Sequence, residues 1–319
     1  MSRYVALGDS YAAGVGAGRL RPGRAYRTDA GYPLEVSRRT GLDLAYQAVL
    51  GASTGDVLRD QLGPLGPDTE LVSVTVGGND AHFVPVLLEV VRPAWISDGD
   101  RVIDEARALI RDAVPGRVGR VLEAVASRSP DARVVVTGYP RLFNGVDDCS
   151  LLTFVSPAEM DRLGEAADLL CEAIFGVARS AGAEVVDVLP TFDGHQICDD
   201  QAWIHGLRWT PETSYHPDAS GHRVYGAAVL DVLAVDAALE PAAPEPAVVD
   251  GDCRGTSLTF ELPDLMSGRA RRGAAAHGLD PDRVAELARR ARGEDGVVAD
   301  EAAARELQAM HEDVLARRG

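Results

Sequence analysis

Cysteine is scarce in this chain. Four occur in 319 residues: Cys149, Cys171, Cys198 and Cys253. None forms a CxxC pair, so neither a disulfide-built scaffold nor a cysteine-rich metal site follows. Four still leave room for one or two bridges in an oxidising compartment. No apolar run reaches the roughly 18 to 20 residues that a membrane span needs. Strand-like sequence begins at Arg3, with no charged and apolar leader before it. That reads as a cytoplasmic protein; a mature secreted form is the alternative. Aromatic residues are only 5% and say little about pocket size. Basic residues are outnumbered, 32 against 49, for a formal net charge of -17. Such a surface argues against nucleic acid and anionic membranes as partners, and leaves an apolar substrate open.

What is present is a globular composition, 46% hydrophobic, in a chain long enough for an α/β domain and an extension. Short apolar runs recur at Tyr4–Leu7, Leu44–Val49, Leu71–Val76, Arg133–Thr137 and Glu184–Val188. Helical patterns lie between and after them, at Tyr32–Arg39, Asp100–Ala113, Arg117–Arg128, Pro157–Ala181 and Gly221–Ala234. This alternation predicts βαβ units, a five-stranded parallel sheet and, with right-handed crossovers, a three-layer α/β/α sandwich. Composition shifts at Leu239, where Pro241, Pro244 and Pro246 alternate with Ala and Glu. We therefore expect three parts: a domain over 1–238, an extended linker over 239–255 and a helical extension over 256–319. Within the last, Thr256–Leu262 reads as a short strand. Val284–Ala291, behind Asp280-Pro281, and Asp300–Leu315 read as a helical hairpin. The apolar stripes Val284, Leu287, Ala291 and Leu307, Met310, Val314 must bury against the sandwich or another subunit. Self-association through these helices is thus an expectation.

Four blocks carry chemistry: Gly8-Asp9-Ser10, Gly51-Ala52-Ser53-Thr54-Gly55-Asp56, Gly77-Gly78-Asn79-Asp80, and His216-Pro217-Asp218-Ala219-Ser220-Gly221-His222. The first three follow expected strands, at the sheet end where open α/β folds bind ligands. A serine becomes a nucleophile when a base takes its proton and donors await the oxyanion. Ser10 fits the nucleophile and His216 the base. The Ser10 N–H, the Gly51 N–H and the Asn79 amide are the available donors. Each has a plainer role too: Ser10 as a helix cap, Asn79 and Gly51 as turn residues. His222, at a helix start, reads as structural, and Asp9 as a residue that fixes its turn.

Together the blocks resemble those of the SGNH, or GDSL, hydrolase family. Phe192-Asp193-Gly194-His195-Gln196-Ile197-Cys198 and Trp203 are similar to its actinobacterial lipase and esterase members. The resemblance spans roughly residues 3 to 235. It implies a flavodoxin-like fold and ester cleavage through an acyl-Ser10 intermediate without a cofactor. It also implies Gly51 and Asn79 as oxyanion donors, His216 as base and a Cys149–Cys198 bridge. One position departs. The family often carries Asp three residues before the histidine, and here that residue is Thr213. The Thr213 carbonyl is then the first orienting candidate, with Glu212 and Asp218 as carboxylate alternatives. Cys171 and Cys253 read as free thiols or as a bridge from tail to sandwich.

The function expected is a serine ester hydrolase acting on a small-molecule or lipid ester. The same site with an alcohol or amine acceptor would be an acyltransferase, and a non-catalytic protein acting through its C-terminal helices is the rival of another class. His195, Cys198 and His205 match no zinc spacing, so no metal is expected. The arginine-rich tail carries about as many acids, which suits a solvated helix face better than nucleic acid.

Overall fold

The structure, a computed structural model, describes residues 3–146, 153–208, 210–236, 244–256, 263–292 and 299–318. Short buried apolar segments supply the sheet: β1 (Tyr4–Gly8), β2 (Leu44–Tyr46), β3 (Leu71–Thr75), β4 (Arg133–Thr137), β5 (Glu184–Val186) and β6 (Val248–Asp250). All neighbouring pairs are parallel, in the order β5-β4-β3-β1-β2-β6. β1 pairs with β3 along its whole length, Tyr4 opposite Leu71 and Gly8 opposite Thr75. Continuous apolar strands belong to a sheet covered on both faces. Where polar residues enter, they satisfy one another. Tyr4 Oη lies 2.8 Å from Ser73 Oγ, Tyr32 Oη 2.9 Å from Thr75 Oγ1, and Thr75 Oγ1 2.6 Å from Thr137 Oγ1.

Helices occur in chain order as α1 (Tyr32–Thr40), α2 (Thr54–Asp56), α3 (Phe83–Val90), α4 (Gly99–Asp112), α5 (Val114–Arg128), α6 (Pro157–Ser180), α7 (Leu189–Phe192) and α8 (Ala219–Val232). α1 starts with a first-turn proline and stops at Gly41 in the left-handed region, the asymmetry expected of helix ends. α8 is capped by Asp218, whose Oδ1 accepts from the Ser220 and Gly221 N–H groups.

Among the described residues the sheet has six strands, not the five expected. β6 lies inside the stretch read as a linker. Its three residues sit beside a Pro/Ala run and carry no periodicity of their own, and β2 offers them an edge to pair with. Pro115-Gly116, between the helices expected at Asp100–Ala113 and Arg117–Arg128, lies in the first turn of α5. That is where proline is tolerated, since its missing N–H has no intrahelical partner.

The chain forms two compact units that cut across the linear three-part division. One comprises Met1–His82, Arg107–Asn144 and Gly164–Thr259; the other Phe83–Ala106, Gly145–Leu163 and Phe260–Gly319. Among the described residues the second contains three C-terminal helices rather than a hairpin: α9 (Gly268–Ala276), α10 (Pro281–Ala291) and α11 (Glu301–Ala316). Their stripes bury against each other and against the 83–106 segment. Val284, Leu287, Leu307 and Val314 form one core with Ala94, Trp95 and Phe154. His311, fully buried, accepts from the Ala94 N–H at Nδ1, 2.9 Å away. The expected strand from Thr256 to Leu262 lies, after Thr256, outside the described residues. So do residues 239–243 of the expected linker.

Candidate active site

The first block is bent by packing. Gly8 has φ +132, and a Cβ there would lie 2.0 Å from the Thr75 carbonyl oxygen, so only glycine fits. Buried Gln61 holds it from both sides, accepting from Gly8 N at 2.7 Å and donating to Gly8 O at 2.9 Å. Asp9 N donates to Thr75 O, and Asp9 Oδ1 accepts from Tyr11 N at 3.0 Å. The turn therefore presents Ser10 at the end of β1, nearly buried at 7% exposure.

His216 reaches it from 206 residues further along the chain. A short antiparallel clasp sets its backbone: His205 N donates to His216 O, Tyr215 N to His205 O, and Asp218 N to Trp203 O. Gly16 lets this loop close in, since a Cβ there would meet the Pro217 carbonyl at 2.7 Å. His216 Nε2 lies 2.7 Å from Ser10 Oγ, and Nδ1 lies 2.8 Å from the Ser214 carbonyl. A carbonyl only accepts, so Nδ1 carries the hydrogen and Nε2 keeps its lone pair toward the serine. Burial pulls the His216 pKa down to about 4, against the opposing hydrogen bond to Ser214. The ring is therefore neutral at neutral pH.

The orienting group differs from the expectation by one residue. Thr213 ends the short 3-10 turn Pro211–Thr213, its N and Oγ1 both donating to Thr210 O. Ser214 is extended and Tyr215 takes φ 62, which turns the Ser214 carbonyl, not that of Thr213, onto the ring. Asp218 is occupied in capping α8. Nδ1 thus meets a backbone carbonyl and not the Glu212 carboxylate.

The second and third blocks lock together. Asn79 Nδ2 donates to Ala52 O at 2.9 Å, leaving its second hydrogen free to donate. Buried Asp80 accepts from Thr54 N at 2.9 Å and Thr54 Oγ1 at 2.7 Å. Ser53 and Asp56 form a capping box on α2. Gly51 has φ +80. Among the described residues, the Ser10 and Gly51 N–H groups have no acceptor. Three donors thus end on loops tied to one another.

Tyr139 was missed in the sequence. Its hydroxyl donates to Asp9 Oδ2 at 2.6 Å and accepts from Gly78 N at 3.2 Å, so one phenol braces the first block against the third. Cys171 Sγ accepts from Tyr139 N and donates to its carbonyl, both at 3.3 Å. Desolvation raises the buried Asp9 pKa to about 7, the Tyr139 and Tyr11 hydrogen bonds opposing it. The available signal was position: an aromatic directly after Gly138, at the C-terminal end of a parallel strand.

His222 is buried beside Tyr32 and Tyr225. Cys198 is disulfide-bonded, and Cys171 and Cys253 are free. Cys149 lies outside the described residues.

Residues 6–224 match the GDSL-like Lipase/Acylhydrolase family. The chain is 38% identical over 221 residues to a lipase of Streptomyces rimosus, covering 68% of this chain and 81% of that one. It is 37% identical over 222 residues to Lipase 1 of Streptomyces coelicolor, with the same coverage of each. The crystal structure of the extracellular lipase from Streptomyces rimosus aligns with a TM-score of 0.67 at 36% identity, over 72% of this chain and 98% of that one. Phospholipase A1 from Streptomyces albidoflavus aligns with a TM-score of 0.66, at the same identity and coverage.

Proposed function

Because the chain belongs to the GDSL-like Lipase/Acylhydrolase family and is a carboxylic ester hydrolase, we propose that Ser10 and His216 carry the reaction as a dyad. The observation that carries this reading is the 2.7 Å approach of His216 Nε2 to Ser10 Oγ, with Nδ1 held by a carbonyl. Ser10 Oγ attacks the ester carbonyl carbon while its proton passes to Nε2. The carbonyl oxygen becomes an oxyanion and is held by Ser10 N, Gly51 N and Asn79 Nδ2. On collapse, the carbon–oxygen bond to the alcohol breaks and Nε2 returns the proton to the leaving alkoxide. Water then repeats the sequence on acyl-Ser10, with His216 again taking the proton, and the acid leaves.

The Ser214 carbonyl fixes the tautomer but brings no full charge to the imidazolium. Asp9 and Tyr139 act on position only, holding the Ser10 turn and Gly78. The relatives named as lipases and as phospholipase A1 support a lipid ester as substrate. Of the two locations open to the sequence, the secreted one is supported by the disulfide-bonded Cys198 and by the extracellular relative. Among the described residues, no helix is long and apolar enough to cross a membrane.

Hydrolysis of p-nitrophenyl esters from acetyl to long chain by the wild type, Ser10→Ala and His216→Ala tests the assignment. Each variant is expected to lose several orders of magnitude in kcat, since the two residues act as one unit. Retention of more than about a tenth of the activity by Ser10→Ala sinks it, because an intact nucleophile would then lie elsewhere.

A further inference from the structure

The chain that follows β6 runs back beside Leu50 and Gly51 from outside the 6–224 family match. Gly255 N donates to Arg24 O, Thr256 N to Leu50 O, and Leu50 N to Ala25 O, at 2.9, 3.0 and 3.1 Å. Three passages of chain thus lie side by side next to Gly51. A Cβ built on Gly51 would meet Thr256 Cβ at 3.1 Å. The segment is in contact with the loop that offers the Gly51 N–H.

Beside these passages is a pocket of about 450 Å3, a size suited to a small ligand. Leu20 and Tyr26 give it an apolar side, and Arg21, Arg24 and Arg254 line it with no acid among the described lining residues. Arg21 is committed to Asp250, with Nη2 2.8 Å from Oδ2, and Arg27 shares that carboxylate at 3.8 Å. Arg24 and Arg254 make no ion pair among the described residues. The acids near the segment are otherwise placed. Asp56 and Asp60 pair with Arg59, and exposed Asp252 does not line the pocket. In a chain of net charge -17, two arginines that line one pocket and make no ion pair among the described residues favour an anion there.

We propose that this pocket takes an anionic group of the ester substrate, bound by Arg24 and Arg254, while the scissile carbonyl sits at Gly51. The proposal rests on the Ser10 reading. The segment after β6 is then a specificity element, and Arg254, beyond the family match, supplies half of the charge recognition. A guanidinium serves a carboxylate on the acyl chain and a phosphate on the alcohol side equally.

The test uses the full chain and three esters. These are neutral p-nitrophenyl hexanoate, mono-p-nitrophenyl adipate with its charge on the acyl side, and a hexanoyl ester of glycerol 3-phosphate with its charge on the alcohol side. Arg24→Gln and Arg254→Gln are each expected to lower kcat/KM for one charged ester about tenfold or more, mainly through KM. Which charged ester responds identifies the source of the anion. The neutral ester should stay within about twofold, and salt at about 0.5 M should erode the wild-type preference for the charged ester. Equal losses on neutral and charged esters, or no loss on either charged one, overturn the proposal. Failure of the Ser10 reading would show separately, as neutral-ester hydrolysis that survives Ser10→Ala.

Discussion

Acidification tests the buried dyad in two independent ways. The base must be neutral to act, and burial places the His216 pKa at about 4 rather than its ordinary 6.5. At pH 5 about nine-tenths of such a ring is neutral, against about a thirtieth at the ordinary value. The acid limb of kcat/KM is therefore expected near pH 4. Folding responds in the same window. His216 and His222, the latter lowered by burial to about 3, bind protons more readily in the unfolded chain. Their stabilisation is present above pH 6.5 and is lost as pH falls through 6.5 toward 4 and 3. From pH 7 to pH 4 the two together lose about 6 kcal/mol. Asp9 has the opposite sign: desolvation raises its folded pKa to about 7, so its proton is held more tightly in the folded state. It returns about 3 kcal/mol over the same fall, leaving a net loss of about 3 kcal/mol from these groups. The assays are kcat/KM against pH and urea melts followed by circular dichroism at pH 7, 5.5 and 4. Asp9→Asn, neutral throughout, should keep the same acid limb. A limb near pH 6.5 in protein still folded, or a urea midpoint that does not fall between pH 7 and pH 4, would refute the reasoning.

Asp218→Asn should cost less than about tenfold in kcat, since asparagine caps a helix nearly as well and no carboxylate orients His216; a loss near 10⁴ would reveal a triad. Asn79→Ala should lower kcat by about 10² to 10³ with little change in KM, the signature of a donor used by the oxyanion; a change confined to KM would make Asn79 a substrate-binding residue. Tyr139→Phe leaves the Asp9 carboxyl and the Gly78 N–H short of a partner, so it should destabilise by about 1 to 3 kcal/mol and lower kcat more than it raises KM. Thermal melts and steady-state kinetics read the two effects, and unchanged kcat in a destabilised variant would restrict Tyr139 to folding.

The parallel sheet was readable because each strand is a short apolar run ending in a turn, as Leu71–Thr75 before Gly77-Gly78 shows. The serine, histidine, glycine and asparagine blocks were readable for the same reason: three of them sit at strand ends. What escaped depended on neighbours distant in sequence. β6 is three residues whose strand character comes from the free edge of β2. Tyr139 gains its role only once β4 lies beside β3 and brings the phenol to Asp9 and Gly78. The shift from Thr213 to Ser214 follows from the positive φ of Tyr215, a non-glycine that carries no local signal for it. The C-terminal helices were legible one by one, but their common core with Trp95 and Phe154 rests on contacts more than a hundred residues apart.

Covalent capture of the nucleophile tests the central claim most directly. A fluorophosphonate probe mimics the tetrahedral intermediate and stays on the serine that attacks it. Intact-mass measurement after brief exposure should show one adduct per chain, and peptide mapping should place it on Ser10. His216→Ala should slow the labelling by orders of magnitude, and Ser10→Ala should abolish it. An adduct on any other serine, or equal labelling of Ser10→Ala, would contradict the account.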